Sequence, residues 1–190
     1  VTTTAFKQYR GITATKDDAL IVTLVTRAQA QVESYCDRTF QAPSTAATRY
    51  YDAIRDTSDD LRTLYLDADL ASITTITNGD GTAVATTHYV TEPRNAAPYR
   101  SIRLTTLADD NWTYTAAPED AIKVLGRWGY ATAAPAAVQQ ATIRLAAYMY
   151  AQKDVSTFDV TMFPDAGVMS VPQGMPKDVR DLLEPYRRLR

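Results

Sequence analysis

The stretch TKDDALIVTLVTRAQAQVESYCDRTF, residues 15–40, decides how the chain is organised. Leu20, Leu24, Ala28, Val32 and Tyr35 or Cys36 recur every three or four residues, which lines them along one face of a helix. Thr15 is placed to cap it, a side-chain oxygen there accepting an amide of the first turn. Asp17 and Asp18 sit where the positive end of the helix dipole favours carboxylates. Arg27, Gln29, Gln31 and Glu33 take the remaining surface, and the helix closes on an unusual Tyr-Cys-x-Arg-x-Phe ending: Tyr35, Cys36, Arg38 and Phe40. Such periodicity describes a core-facing helix and by itself names no function.

Before this helix, residues 4–10 form a short first helix, with Phe6 and Tyr9 on one side and Gly11 as its C-terminal stop. After it, Ala42-Pro43-Ser44 breaks the period, and tyrosine, threonine and β-branched residues replace the alanine-rich pattern. Short strands are expected over 48–53, 63–66, 72–77, 83–90, 100–105 and 121–125. Asn78-Gly79-Asp80-Gly81 overlaps two turn dipeptides and predicts a tight hairpin. Ile102 and Leu104 alternate on one face, as do Ile122 and Val124, whereas Ile73 and Ile76 are out of phase for one regular strand face. Gly126-Arg127-Trp128-Gly129-Tyr130 marks the return from strand to helix. Pro135 suits a first helical turn, and Val138, Ala141 or Thr142, Leu145 and Tyr148 or Met149 carry an apolar stripe to about Lys153. The expected fold is α+β: antiparallel helices (4–40 and 134–153) form a helical core, with a β-rich insertion over 46–128 between the two long helices. Residues 1–154 then make one domain, and 155–190 an extended C-terminal arm with a terminal helix.

The arm, residues 155–175, has no regular period yet carries Phe158, Met162, Phe163, Val168, Met169, Val171 and Met175. Left in water, each large apolar side chain would forfeit about 1.5–3 kcal/mol of burial. The segment therefore packs on something, either as a strap over its own core or as an arm on a neighbouring subunit. Residues 177–189 form a last amphipathic segment with Val179, Leu182, Leu183, Tyr186 and Leu189 on one side, and Pro185 as a break.

Composition narrows the function. The formal net charge is −2, and no basic run precedes Arg187-Arg188-Leu189-Arg190, so a broad phosphate-binding footprint is missing from the sequence. Cys36, the single cysteine, lies on the apolar side of its helix and reads as a buried small hydrophobe rather than a nucleophile. No run approaches the roughly twenty apolar residues that cross a bilayer, and the start lacks a secretory pattern, so a soluble, intracellular chain is expected.

Catalytic motifs are equally sparse. His88, the only histidine, lies in Thr86-Thr87-His88-Tyr89-Val90 without a nucleophile motif beside it. There is no nucleophile elbow, P-loop, dinucleotide fingerprint or His/Cys zinc spacing. The acidic groups at Asp17-Asp18, 56–60, 67–69 and Asp109-Asp110 fit turns and helix starts better than acid/base pairs or a calcium loop. No catalytic residue, cofactor or metal is expected. Two rival readings are a glycan- or host-binding module stacking sugars on Tyr50, Tyr51, Tyr65, Trp112 or Trp128, and a hydrolase using Asp109 or Asp110.

The order of these elements is itself informative: Gly11-Ile12 after a short helix, Asp17-Asp18-Ala19-Leu20 opening the next, and Tyr35-Cys36-x-Arg38-x-Phe40 closing it. With Asn78-Gly79-Asp80-Gly81, the Val124-to-Tyr130 turn, Pro135 before the alanine-rich helix and the segment from Val179 to Arg188, it resembles the head-tail connector (adaptor) proteins of tailed bacteriophages over nearly the whole chain. The resemblance implies a non-enzymatic ring of twelve copies in the virion neck. It would dock beneath the portal protein, above a stopper, tail-terminator or tail protein, with genomic DNA passing through its lumen without sequence-specific binding. For such a role the chain's own candidates are Val179, Leu182, Leu183, Tyr186, Arg187 and Arg188 for portal contacts, Phe158, Met162, Phe163, Val168 and Met169 for intersubunit contacts of the arm, and Asn78, Gly79, Asp80 and Gly81 for a tail-side loop. A ring interface is heterologous, so each copy needs two different complementary surfaces, and an apolar arm would supply one. The β-rich insertion departs from the shortest, almost wholly helical members of that family.

Overall fold

The computed structural model describes residues 1–106, 111–154, 161–162, 169–170 and 174–188, with only the backbone described at 154, 161, 162, 169 and 170. The chain divides into two compact units: a helical one, Val1–Asp37 with Pro135–Arg190, and a β-rich one, Arg38–Ala134.

In the helical unit, α1 (Thr3–Arg10) is capped by Thr2, whose Oγ1 accepts from the Ala5 amide, and ends at Gly11 in the left-handed conformation. Helix α2 spans Asp18–Cys36. Its buried face is Ile21, Leu24, Val25, Ala28, Val32 and Cys36, so the stripe is rotated from the expected one: Leu20 is exposed and Ile21 takes the core position. Thr15 does not cap with its side chain; its carbonyl accepts from the Asp18 amide at 3.1 Å. Asp17 occupies the N-cap position without a side-chain cap bond, and its carboxylate instead accepts from Lys153 Nζ at 2.6 Å and Tyr150 Oη at 2.5 Å. Helix α3 (Ala136–Ala151) follows Pro135 and buries Val138, Ala141, Thr142, Leu145, Ala146 and Ala147. It packs against α1, α2 and the terminal helix α4 (Lys177–Leu183). Alanines at 28, 141 and 146, all fully buried, leave room for close helix approach.

The β-rich unit holds one antiparallel five-stranded sheet in the order β1-β5-β2-β4-β3. Its strands are β1 (Ala47–Tyr51), β2 (Thr63–Thr77), β3 (Tyr89–Glu92), β4 (Tyr99–Leu104) and β5 (Ile122–Trp128). The two strands expected over 63–66 and 72–77 are one 15-residue strand, β2. It shifts register against β5 between Leu70 and Ser72 and again between Ile73 and Thr75. The second irregularity resolves the phase conflict of Ile73 and Ile76: an extra residue lets both reach the same core. Strand β5 continues past Leu125 through Gly126, where a Cβ would stand 2.5 Å from the Ser72 carbonyl oxygen. That glycine marks close approach of a bulged neighbour, not the end of a strand. Residues 83–88 are not the expected strand; the His88 amide turns back to the Ala85 carbonyl, and strand pairing begins at Tyr89. Leu64, Leu70, Ile76, Ile102, Ile122, Val124, Trp112 and Trp128 form the core.

Arg38 and Asp69 make a buried ion pair at 2.6 Å, their side chains 6% and 5% exposed. The Arg38 guanidinium also lies 5.5 Å from the centre of the Tyr130 ring, itself 5.8 Å from Phe40. Arg38 Nε and Asp69 Oδ1 are buried without a hydrogen-bond partner.

A short ladder, β6 (Thr161–Met162) with β7 (Met169–Ser170), pairs Met162 with Met169 where no regular structure was expected.

Three outcomes follow from these contacts. Removing one partner of a desolvated pair costs about 3–5 kcal/mol while an apolar replacement of both is often near neutral. Arg38→Met should therefore destabilise the chain by that amount in urea unfolding, and Arg38→Met with Asp69→Leu should recover most of it. Gly79→Ala should lower the melting temperature, at a cost of about 1–3 kcal/mol for overpacking, because its Cβ would meet the Thr113 carbonyl oxygen at 2.0 Å. The Lys153 and Tyr150 bonds hold the Asp17 carboxyl below its ordinary value of 3.8. The unfolded chain then takes up that proton first, so this stabilisation is complete only above about pH 5 and lost as pH falls through the lowered value. Asp17→Asn should flatten that part of the acid-stability profile.

Candidate functional site

The carboxylates that looked like possible chemistry are spent on loops. Asp52 Oδ1 accepts from the amides of Ile54 and Arg55 at 2.7 and 2.9 Å, and Asp56 Oδ2 accepts from the Asp52 amide at 2.8 Å. Asp60 accepts from the Ser58 hydroxyl and the Arg62 amide, and Asp80 from the amide and hydroxyl of Thr82. Each of Asp52, Asp60 and Asp80 is held below the usual carboxylate value, Asp52 by backbone amides and the other two chiefly by side-chain hydroxyls. Asp67 takes the Arg49 guanidinium at 2.5 Å and the Tyr51 hydroxyl at 2.7 Å; burial, then that bond, pushes the Tyr51 phenol far above its ordinary range. Among the described residues no three His, Cys, Asp or Glu side chains gather to hold a metal. Asp109 and Asp110 lie outside the described residues.

The sugar-stacking residues are mostly not available as platforms. Trp112 is fully buried and donates to the Arg62 carbonyl at 3.1 Å; Trp128, 7% exposed, donates to the Ala47 carbonyl at 2.8 Å under the Arg49 guanidinium; Tyr51 is buried beside it. Tyr50 and Tyr65 are the exposed members.

The Asn78–Gly81 turn forms as expected, the Gly81 amide donating to the Asn78 carbonyl and the Asn78 amide to the Thr82 carbonyl. Its first half faces inward. Asn78 is buried, its Nδ2 donating to the Asn111 carbonyl and its Oδ1 accepting from the Thr113 amide, so only Asp80 and Gly81 present fully exposed surface. Sequence reading missed this clasp because its partners lie more than thirty residues away.

The Tyr-Cys-x-Arg-x-Phe ending proves to be a point of division. Asp37, left-handed at φ 53°, stops α2. Ahead of it, Tyr35 donates to Glu184 Oε2 at 3.2 Å and stacks under Arg187, and the Cys36 carbonyl accepts the Arg188 amide at 3.0 Å. Behind it, Arg38 and Phe40 serve the β-rich unit. Cys36 is buried, as expected of an inert thiol.

The portal-contact candidates differ in burial. Val179 and Leu183 are fully buried where α4 packs on α3, so their partner is this chain's own helical core. Leu182, Tyr186 and Arg188 are half-buried, and Arg187 is exposed. Of the intersubunit candidates, Phe158, Phe163 and Val168 lie outside the described residues, and Met162 and Met169 are known as backbone partners. Met175, grouped with the arm, is buried.

Two concavities stand out. One, about 310 Å³, is lined by Tyr50, Asp52, Arg55, Asp56, Glu119 and Asp120 in the β-rich unit. The other, an open groove of about 430 Å³ in the helical unit, is lined by Tyr9, Arg144, Tyr148, Pro176, Asp178 and Val179. Arg144 Nη1 donates to Asp178 Oδ2 at 2.9 Å across it, while its Nε is buried without a partner. No helix among the described residues is long and apolar enough to cross a membrane.

The family model described as "Head completion protein" matches residues 1–189. Three solved structures share the fold over 100% of this chain. A neck of an empty GTA particle computed with C6 symmetry has TM-score 0.61, 18% identity and 90% of its chain covered. A neck of a native GTA particle computed with C12 symmetry has TM-score 0.57, 19% identity and 92% covered. A virion of a native gene transfer agent particle has TM-score 0.56, 20% identity and 90% covered. No curated protein matches the chain at a significant level. The match over residues 1–189 places this chain in the head completion protein family.

Proposed function

We propose that this chain is a structural adaptor of the head-tail neck, forming a twelvefold ring that joins the portal to a stopper or tail protein and surrounds the DNA exit channel. The whole-chain family match carries the reading. Three things support it: the fold shared with neck proteins of particles computed with C6 and C12 symmetry, acidic side chains spent on loop architecture, and an aromatic groove left open on the helical unit. A near-neutral charge suits a conduit, since a strongly basic lumen would hold the phosphates passing through it.

Within this reading the portal is met by Leu182, Tyr186, Arg187 and Arg188, since Val179 and Leu183 are consumed internally. The apolar arm around Phe158, Met162, Phe163, Val168 and Met169 serves the neighbouring copy, where methionines suit an adaptable joint. The tail side is served by the Asp80–Gly81 tip of the turn.

Electron microscopy of the full chain assembled on its portal should show a closed twelvefold ring. Leu182→Asp with Arg187→Glu should lower co-purification with the portal at least tenfold while leaving the thermal melt and the ring contacts in place. A chain that stays monomeric on the portal, or portal binding unchanged by the double substitution, would reject the ring or the portal assignment respectively.

A further inference from the structure

The chain has three asparagines, and Asn78 alone precedes a glycine. In an open chain that dipeptide readily loses its side-chain ammonia, because a residue without Cβ lets its amide nitrogen reach the carbonyl carbon of the side chain before it. The Gly79 nitrogen bonds to Asn78 Cγ and gives its proton to a base in the solvent. The Cγ–Nδ2 bond then breaks, and Nδ2 takes up a proton and leaves as ammonia. Water opens the resulting five-membered succinimide at either carbonyl, leaving aspartate or isoaspartate. In sum one water is taken up and one ammonia released.

The fold holds the pair away from this reaction. Asn78 is 3% exposed. Its Oδ1 accepts from the Gly79 amide at 2.9 Å and from the Thr113 amide at 3.1 Å, and its Nδ2 donates to the Asn111 carbonyl at 2.9 Å. A hydrogen bond to a carbonyl oxygen lies near the plane of the amide, whereas attack on the carbon comes from above that plane. The Gly79 nitrogen therefore meets the oxygen, with its proton in use, and not the carbon. To react, the Asn78 amide has to turn about its Cβ–Cγ bond, which parts it from Asn111 and Thr113 together. Gly79 has little room to come to it, since it lies against the Thr113 carbonyl and bridges to Tyr114. Turning the amide in place would leave buried donors and acceptors unsatisfied, so the reaction waits for the clasp to open.

We propose that Asn78 is a latent deamidation site, closed in the folded chain by its clasp on Asn111 and Thr113 and released when residues 111–113 lift from the turn. The product does not close again. Aspartate would aim an oxygen, where Nδ2 stood, at the Asn111 carbonyl, leaving two acceptors face to face in a buried site. Isoaspartate would add a carbon to the main chain of a turn whose Asn78 amide donates to the Thr82 carbonyl at 2.8 Å. Between the two clasped residues stands Trp112, fully buried, its amide on the Leu61 carbonyl and its indole on the Arg62 carbonyl. Deamidation is thus a record of opening: a chain that stays folded keeps the amide, and one that opens long enough loses both the amide and the seat of Trp112.

Peptide mass spectrometry on the full chain tests this, with Asn95 as internal reference, since it is exposed in the loop before β4 and precedes alanine. Asn78 should lose ammonia at least tenfold more slowly in the folded chain than in urea beyond the unfolding transition, while Asn95 changes far less. No slowing at Asn78, or equal slowing at both, would overturn the proposal. Below the transition, rising urea should speed Asn78 deamidation and hydrogen exchange of the Thr113 amide by the same factor. Exchange that quickens while deamidation does not would separate the two events and overturn the clasp as the gate. Asn78→Asp, made as the product, should lower the melting temperature and raise Thr113 amide exchange at least tenfold; an unchanged melt with unchanged exchange would overturn the failure to reclose.

Discussion

The withdrawal of Arg38 and Asp69 from water is the constraint around which the β-rich unit is arranged. Two charges 2.6 Å apart with side chains almost wholly buried cannot be moved independently. Strand β2 must therefore run with Asp69 inward although apolar Leu70 follows it, and the strand meets that demand through irregular register on both sides of the pair. The Asp69 carbonyl then accepts the Gly129 amide at 2.7 Å, and the Tyr130 and Ala131 amides are received by the carbonyls of Thr39 and Phe40. One ion pair thus fixes the segment where the chain enters the unit to the segment where it leaves.

That role explains the ending of α2. Tyr35 and Cys36 finish a helix whose core is alanine-rich and local, while Arg38 and Phe40 start a core whose partners lie thirty or ninety residues on. The left-handed Asp37 between them allows the change of direction without a glycine, a conformation that aspartate tolerates better than branched residues do. The ordinary helical half and the unusual aromatic-basic half of this stretch answer to different cores.

Local signals were the ones the sequence revealed. The Gly11 stop, the start of α3 after Pro135 and the Asn78–Gly81 turn all depend on spacing or on residues a few positions apart. What stayed hidden depends on distant partners. Asp67 and Asp69 interrupt an apolar pattern, so β2 reads as two strands until Arg49 and Arg38 are seen to take those charges. Leu20 and Ile21 are equally apolar, and only packing picks the second for the core. Val179 and Leu183 look unpartnered because α3, which covers them, lies some forty residues upstream. The groove on the helical unit was hardest to see, since tyrosines, a proline and one arginine are residue types common on any helix surface.

The same contrast bears on what the acidic residues do. A general acid or base at neutral pH works best when its pKa is drawn toward 7, usually by burial away from donors. Asp17, Asp52, Asp60 and Asp80 are moved the other way, each by hydrogen bonds that stabilise the charged form. Their negative charge is a fastening: it pins a helix start or a loop of the β-rich unit. Carboxylates satisfied by backbone amides, hydroxyls and a lysine hold these turns in one shape without a hydrophobic core beneath each of them.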